Sequence, residues 1–501
     1  MLLNKLLEIL PEKKISGETD LNISSIEYDS RKIKDGSLFV AIRGLSDDGH
    51  KFIGDSLARG AKAIVVNEGL FDAKAYRQNK PFTAIEVKDS RSDLALLANK
   101  FYDFPSRSLK LIGITGTNGK TTTSYLIESI LKEDGKKTGL IGTINYRIGD
   151  EVLPALRTTP ESSDLQKILK DMVSAGCGFA IIEVSSHSLE LNRVDGCYFT
   201  GAIFTNLTKE HLDFHKNMKN YLSAKKKLFQ GLKNMNGSDT TTFAVINADD
   251  PVAGEIIAAT GVRIATYGLK VKADISAADF KSDFSGTRGR VIFPDGEIDI
   301  SSPLAGGFNI YNILAAAAAS YCLGIRKEKI VEGIAAMKSV PGRFQMVEWN
   351  GDFEIIVDYA HTPDALERCL SQAKNISRGK LITVFGCGGD RDKGKRPEMG
   401  RIGAELSDLL YITSDNPRSE DPVKIIEDIK AGIKGKEIKE KVKIIPDRRE
   451  AIYGALEIAQ TGDLIVIAGK GHEDYQIIGN KIIHFDDKEV VLEKLKKMGK
   501  A

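Results

Sequence analysis

Short unbroken apolar runs alternate along this chain with stretches in which apolar residues return every three or four positions. The unbroken runs read as strands buried on both faces. The three-to-four spacing reads as helices with one face in a core. Runs at 38–42 and 63–66 place a small α/β unit in residues 1–108, opened by an amphipathic helix over 1–10 and closed by a polar linker at 102–108. From 109 to 340, strand-like runs at 139–145, 179–184, 202–206 and 243–247 alternate with helical patterns. That alternation predicts a mostly parallel sheet covered by helices. Residues 270–304 break the rhythm and read as a β-rich insert, and the Ala-rich run 312–319 reads as a buried helix. The turn Val340-Pro341-Gly342-Arg343 marks a second boundary. Beyond it, runs at 354–357, 381–385, 409–412 and 464–468 predict a Rossmann-like domain over 341–501. The fold class is therefore α/β in three domains: 1–108, 109–340 and 341–501.

The most specific signal lies where the run 109–115 ends. Gly116-Thr117-Asn118-Gly119-Lys120-Thr121-Thr122 follows it, and then a helical pattern with Leu126, Ile127, Ile130 and Leu131 on one face. Strand, glycine turn and helix together make a phosphate site. The glycines let backbone N–H groups approach the phosphates at the positive end of the helix. Lys120 would reach the terminal phosphates and Thr121 would hold Mg²⁺. The spacing departs from the usual P-loop, because Ile114 stands five positions before Gly119.

Other polar clusters also follow apolar strands. Glu183 in Glu183-Val-Ser-Ser-His187 stands where a nucleotide-hydrolysing site places a Mg²⁺ ligand. Glu210, His211, Asp213 and His215 crowd a short stretch and suggest a second cation site, although a surface helix start would look similar. Asn247-Ala-Asp249-Asp250-Pro251 and Asp358-Tyr-Ala-His361-Thr-Pro363 are weak signals alone. Three clusters in the last domain, 385–397, Ser414-Asp415-Asn416-Pro417-Arg418 and Gly469-Lys470-Gly471-His472-Glu473, should open onto one crevice. A crevice offering both cations and carboxylates suits a zwitterion or several carboxylates.

Charge and cysteine usage narrow the class. A net charge of +2 argues against a nucleic-acid partner, and Lys225-Lys226-Lys227 reads by itself as a solvated basic face. The five cysteines are odd in number and lack metal or redox spacing, which predicts a reducing, cytoplasmic setting. No apolar run reaches the length of a membrane span, so no membrane insertion is expected.

Taken in order, Gly116–Thr122, Glu183–His187, 206–213, 247–251, Gly307-Phe-Asn309-Ile-Tyr-Asn312 and Pro341-Gly-Arg343 resemble the Mur ligases, the ATP-dependent amide-forming enzymes of peptidoglycan precursor synthesis. Asp29-Ser30-Arg31 and the C-terminal clusters resemble the member that adds the third peptide residue. The resemblance implies three substrates: ATP, UDP-N-acetylmuramoyl-L-alanyl-D-glutamate and meso-diaminopimelate, one per domain in chain order ATP second. It implies a second Mg²⁺ at His211, and further ATP contacts at Asn309, Arg343 and Asp358. It implies contacts to the UDP-sugar-peptide at Ser30, Thr158, Thr159, Ser186 and Arg193. Lys225 matches the family's carbamylated lysine, so the resemblance turns a basic face into a catalytic position. Arg391, Asp415, Asn416, Pro417, Arg418, Gly469 and Glu473 would hold the free amino acid. The competing readings are a lysine-adding form of the same ligase, a folylpolyglutamate synthetase-like ligase and a non-catalytic nucleotide-binding protein.

Overall fold

The computed structural model describes residues 1–44, 47–76, 81–234, 241–435 and 440–499. Among them the N-terminal sheet has five strands in the order Lys14–Ser16, Thr83–Val87, Ala63–Asn67, Ser37–Val40 and Ser25–Glu27. All neighbours are parallel except the first pair. Leu38 and Val40 face the helices Leu3–Leu7 and Ser90–Phe101, whereas Phe39 packs on the opposite face with Ile53 and Leu57. This double burial is why the strands read as unbroken apolar runs. The first helix stops at Leu7, short of the expected residue 10. Pro11 disfavours helical backbone at Leu10, which is nevertheless buried.

The central sheet orders its strands Arg263–Tyr267, Phe243–Asn247, Gly201–Phe204, Lys110–Thr115, Phe179–Glu183, Thr138–Ile141, Asn145–Ile148 and Glu151–Pro154. The first six run parallel and the last two turn back as an antiparallel edge. The expected strand 139–145 is thus two strands broken at Gly142. A Cβ at Gly142 would stand 2.4 Å from Glu183 Oε1, so the break makes room for that carboxylate. The insert is a three-stranded antiparallel sheet, Ser276–Asp283, Gly286–Phe293 and Gly296–Ser302. The helix Phe308–Cys322 is buried from Asn312 to Ser320 and packs with the helix Lys120–Glu133 in one core.

The C-terminal sheet orders Gln345–Met346, Glu354–Asp358, Leu464–Ala468, Leu381–Phe385, Leu409–Ile412 and Val442–Ile444, parallel beyond the first pair. A hairpin, Tyr475–Ile478 with Lys481–His484, stands beside it. Polar contacts join the N-terminal, central and C-terminal parts. Tyr28 donates to Asp164 at 2.8 Å and Arg91 pairs with Glu161 at 2.9 Å. On the other side, Asp364 accepts from Asn118 Nδ2 and from Thr208 Oγ1, each at 3.0 Å.

Candidate functional site

The strand Lys110–Thr115 lies between Phe179–Glu183 and Gly201–Phe204, so its end and theirs open together. Gly116 and Gly119 take φ of +151° and +88°. A Cβ at these positions would stand 1.8 Å from Thr205 Oγ1 and 2.4 Å from Asn312 Oδ1, so only glycine fits. Lys120, the first residue of the helix, donates from Nζ to the carbonyls of Gly116 at 2.9 Å and Thr117 at 2.7 Å. Burial holds its pKa below the ordinary lysine value, while Glu210 and Glu183 oppose that shift.

Glu183 is fully buried at the end of its strand. Thr121 Oγ1 donates to its Oε2 at 3.0 Å, Thr143 Oγ1 to the same oxygen at 2.9 Å, and Thr143 N to Oε1 at 2.9 Å. Arg343 donates to Thr121 Oγ1 at 3.2 Å and stacks over the Tyr359 ring at 4.7 Å. Asp358 accepts from the N–H groups of Phe344 and Ala360 at 2.6 and 2.7 Å, and its pKa is raised by burial. These groups line a cleft of about 770 Å³ between the central and C-terminal domains, together with Asn118, Thr122, Thr158, Lys270 and Tyr311. Asn309 lies one layer behind the wall. It donates to Ala305 O at 2.7 Å and accepts from Asn312 Nδ2 at 2.8 Å, so it orients Asn312.

His211 also lines the cleft, in left-handed backbone at φ +56°. Its ring meets His187 edge-on at 4.8 Å. The enclosing cleft first, then Lys120 and Lys225, hold it below the ordinary imidazole range. His215 turns elsewhere, to Ser186 Oγ at 2.9 Å. Among the described residues, no three of His, Cys, Asp and Glu converge as a metal cage. Lys225 is 1% exposed on the helix Met218–Gln230, with Nζ 4.5 Å from the Tyr221 ring centroid. Burial, and then Lys120, push its pKa well down. Lys226 and Lys227 point outward to Glu255 and Glu190.

Thr158 Oγ1 stands 3.1 Å from Thr143 Oγ1, and Thr159 Oγ1 donates to Glu183 O at 2.8 Å. Arg193 donates to Thr159 O at 3.2 Å and pairs with Glu161 at 3.3 Å. Ser30 lies in the 3-10 turn Ser30–Lys32 of the first domain, which Asp29 caps.

The three C-terminal loops converge. A Cβ at Gly388 would stand 2.9 Å from Arg418 Nη1 and 3.8 Å from Arg391 Cγ, and one at Gly469 would stand 2.7 Å from Asp415 Oδ2. Asn416 Nδ2 donates to Glu473 at 2.8 Å, and Lys470, wholly buried, lies 3.5 Å from the same carboxylate. Burial and Asp415 raise the Glu473 pKa. Arg418, half-buried at φ +52°, donates to Gly389 O at 2.8 Å. Its backbone is clamped by the hairpin, from Arg418 N to Ile477 O at 3.0 Å and from Gly479 N to Arg418 O at 2.7 Å. Pro417 O would be 1.9 Å from a Cβ at Gly389.

Sequence reasoning missed Thr143 and Asp364. Thr143 follows Gly142, and that glycine inside an apolar run was the available signal for a break. Asp364 follows Pro363 and reads as a helix-start acid, which conceals its partners in another domain. Hydrogen bonds to a charged acceptor contribute about 1.5–3 kcal/mol each when well shielded. Asp364→Ala should therefore loosen the C-terminal domain from the glycine turn, with the Arg343–Thr121 contact remaining, and enlarge the radius of gyration of the ligand-free protein. Scattering curves that superimpose for variant and parent would reject this contact as a clasp.

Residues 22–102, 114–320 and 342–471 match the models of, in turn, the Mur ligase family catalytic domain, the Mur ligase middle domain and the Mur ligase glutamate ligase domain. The chain is 45% identical over 499 residues to UDP-N-acetylmuramoyl-L-alanyl-D-glutamate–2,6-diaminopimelate ligase of Geobacillus kaustophilus, covering 100% of both chains. It is 46% identical over 501 residues to the ligase of the same description in Clostridioides difficile, covering 99% of this chain and 100% of that one. A solved structure of a UDP-N-acetylmuramoyl-L-alanyl-D-glutamate–2,6-diaminopimelate ligase superposes with a TM-score of 0.68 at 34% identity over 99% of each chain.

Proposed function

The chain belongs to the Mur ligase family, and on that premise we propose how its residues divide the work of one amide bond. It is an ATP-dependent ligase that adds 2,6-diaminopimelate to UDP-N-acetylmuramoyl-L-alanyl-D-glutamate in peptidoglycan precursor synthesis. The meso isomer is the form we assign to it, and the cytoplasm is its proposed place of work. Residues 1–108 would take the UDP-sugar, 109–340 the ATP and 341–501 the amino acid. The observation that carries the amino-acid assignment is the convergence of Asp415, Asn416, Arg418, Gly469 and Glu473 where the C-terminal loops meet.

A carboxylate resists attack by an amine, so ATP activates it. One carboxylate oxygen bonds to the γ-phosphorus and ADP leaves. The amine then attacks the acyl phosphate carbon, loses a proton, and the tetrahedral intermediate expels phosphate. Negative oxygens crowd together in both steps, and preorganised donors stabilise them. In this assignment the N–H groups of residues 116–122 cradle the phosphates, and Lys120 swings from its loop carbonyls to the terminal ones. Arg343 and Asp358 contact the nucleotide, with Asn309 acting through Asn312. Thr158, Thr159, Ser186, Arg193 and Ser30 face the UDP-sugar-peptide.

Thr121 and Glu183 supply hard oxygen donors 3.0 Å apart, a set that suits Mg²⁺. His211, held neutral, fits a second ion. Bound there, Mg²⁺ would neutralise phosphate charge. Thr143 fixes the Glu183 carboxylate from a second side.

Arg418 would pair with the distal carboxylate that distinguishes diaminopimelate from lysine, and Glu473 with the neighbouring ammonium. Because Arg418 already donates to Gly389 O, lysine would not leave it bare, so the discrimination rests on one charged hydrogen-bonded contact. Such a contact contributes about 1.5–3 kcal/mol, or roughly ten- to a hundredfold in kcat/KM. Phosphate release assayed over a panel of amino acids should favour meso-diaminopimelate over lysine by that factor, and Arg418→Ala should erase most of the difference. Equal kcat/KM for the two amino acids in the parent enzyme would refute the specificity while leaving the ligase in place.

A further inference from the structure

The geometry points to a buried ion pair, Arg448 with Asp487, as the element that positions the amino-acid pocket. The inference rests on the reading that 414–418 and 469–473 hold the incoming amino acid. Neither side chain of the pair is exposed to solvent at all. Arg448 Nε donates to Asp487 Oδ1 and Nη2 to Oδ2, both at 2.7 Å. Two further donors go to backbone carbonyls: Nη1 to Ser414 O at 3.3 Å and Nη2 to Ala468 O at 3.0 Å.

Those two carbonyls occupy particular places. Ser414 directly precedes Asp415, and Ala468 directly precedes Gly469. Ala468 ends its strand and Ser414 lies two residues beyond the end of another, and the two strands are not neighbours, since Leu381–Phe385 runs between Leu409–Ile412 and Leu464–Ala468. Beyond that middle strand, Gly386 lets the flanking chain close over it. A Cβ there would lie 2.2 Å from Thr413 O and 2.9 Å from Asp415 N. No ladder hydrogen bond can join the outer two strands across the middle one. The Arg448 guanidinium does so, with the Asp487 carboxylate fixing its plane.

Stability alone does not account for the pair. Arg448 is the first residue of the helix Arg448–Ile458, where a cation opposes the helix dipole. Buried pairs replaced by apolar side chains of similar size often leave a protein as stable or more so. An apolar side chain could fill the space, but it could not hold two carbonyls at fixed separation. Lysine could not either, because its ammonium is a point charge without the planar fork. A shift in either carbonyl carries Asp415 or Gly469 with it, and through them the Asn416–Glu473 contact.

The test uses full-length Arg448→Met, Arg448→Lys and Asp487→Asn, with KM measured for all three substrates and melting followed by circular dichroism. In each variant kcat/KM for meso-diaminopimelate should fall by roughly 10²-fold, the effect of misplacing a binding group by about 1 Å. The loss should appear chiefly in KM, with KM for ATP and for the UDP-sugar dipeptide unchanged. Arg448→Met leaves the Asp487 carboxylate buried without its cation and should melt lower than the parent, whereas the double variant Arg448→Met/Asp487→Leu should melt no lower. Unchanged kinetics in a folded Arg448→Met, or three KM values moving together, would overturn the proposal. If the methionine variant does not fold, the same split is read from Arg448→Lys and Asp487→Asn; if none folds, the pair is a stability element and the proposal is wrong. Arg418→Ala in the same assay separates the two ideas. If it leaves KM for meso-diaminopimelate unchanged, the pocket reading itself fails and the positioning role falls with it. If it raises that KM while the Arg448 variants do not, only the positioning role fails.

Discussion

Lys120→Ala should yield a folded protein whose substrate-dependent phosphate release is lower by at least roughly two to three powers of ten, the cost of removing one preorganised donor to developing negative charge. Lys120 directly follows the glycine turn proposed to cradle the phosphates, with Nζ resting on the Gly116 and Thr117 carbonyls. When a nucleotide arrives, its terminal phosphates compete for that ammonium with two neutral carbonyls, and a charge-assisted contact wins. Alanine should not harm the fold, because Lys120 opens its helix and alanine is the best helix former. Burial depresses the Lys120 pKa, so the variant also sheds a partly buried charge. Phosphate release would be followed with all three substrates present, and melting by circular dichroism. Near-parental release from a variant with a parental melting curve would reject the role.

Lys225→Ala should be nearly as damaging, and chemically recoverable. Lys225 is an amine buried near Lys120, in the site proposed above for phosphate and Mg²⁺. A depressed pKa favours the neutral amine that attack on CO₂ would require; the new N–C bond would form as the amine loses a proton, giving a carbamate anion. An anion there could help hold cations near His211, whereas an ammonium would repel them. Alanine removes that anion and opens space for a small acid. Activity should fall by about 10²-fold or more, and millimolar formate or acetate should restore part of it. Intact mass measurement of the parent under CO₂ should show the adduct. A fully active alanine variant, or an unmodified Lys225 in an active parent, would discard the carbamate.

Much of the molecule was legible because it is local. The glycine turn at 116–122 is set by strand, turn and helix contiguous in sequence. Strands buried on both faces announce themselves as apolar runs, and the insert announced itself by breaking the rhythm. The C-terminal loops could be expected to meet, since parallel strands deliver their following loops to one edge. Where the reading failed, a distant contact overrode a local pattern. The run 139–145 continues through Gly142 in hydropathy, yet the chain must turn there because Glu183, four tens of residues on, needs the space.

By itself, then, the sequence determined the α/β class, the glycine turn between strand and helix at 116–119, and the ordered motifs by which the chain is placed among the Mur ligases. The tertiary structure decided which side chains serve one another. Three consecutive lysines are indistinguishable in composition, but the helix turns Lys225 into the protein and leaves Lys226 and Lys227 paired at the surface. Thr143 meets Glu183, Asp364 meets Asn118, and Arg448 meets Ser414 and Ala468 across separations of tens to hundreds of residues. A sequence window carries the backbone preferences of its own residues. Burial and partnership depend on which distant elements the packed sheets bring alongside, and those are fixed only when the whole chain has folded.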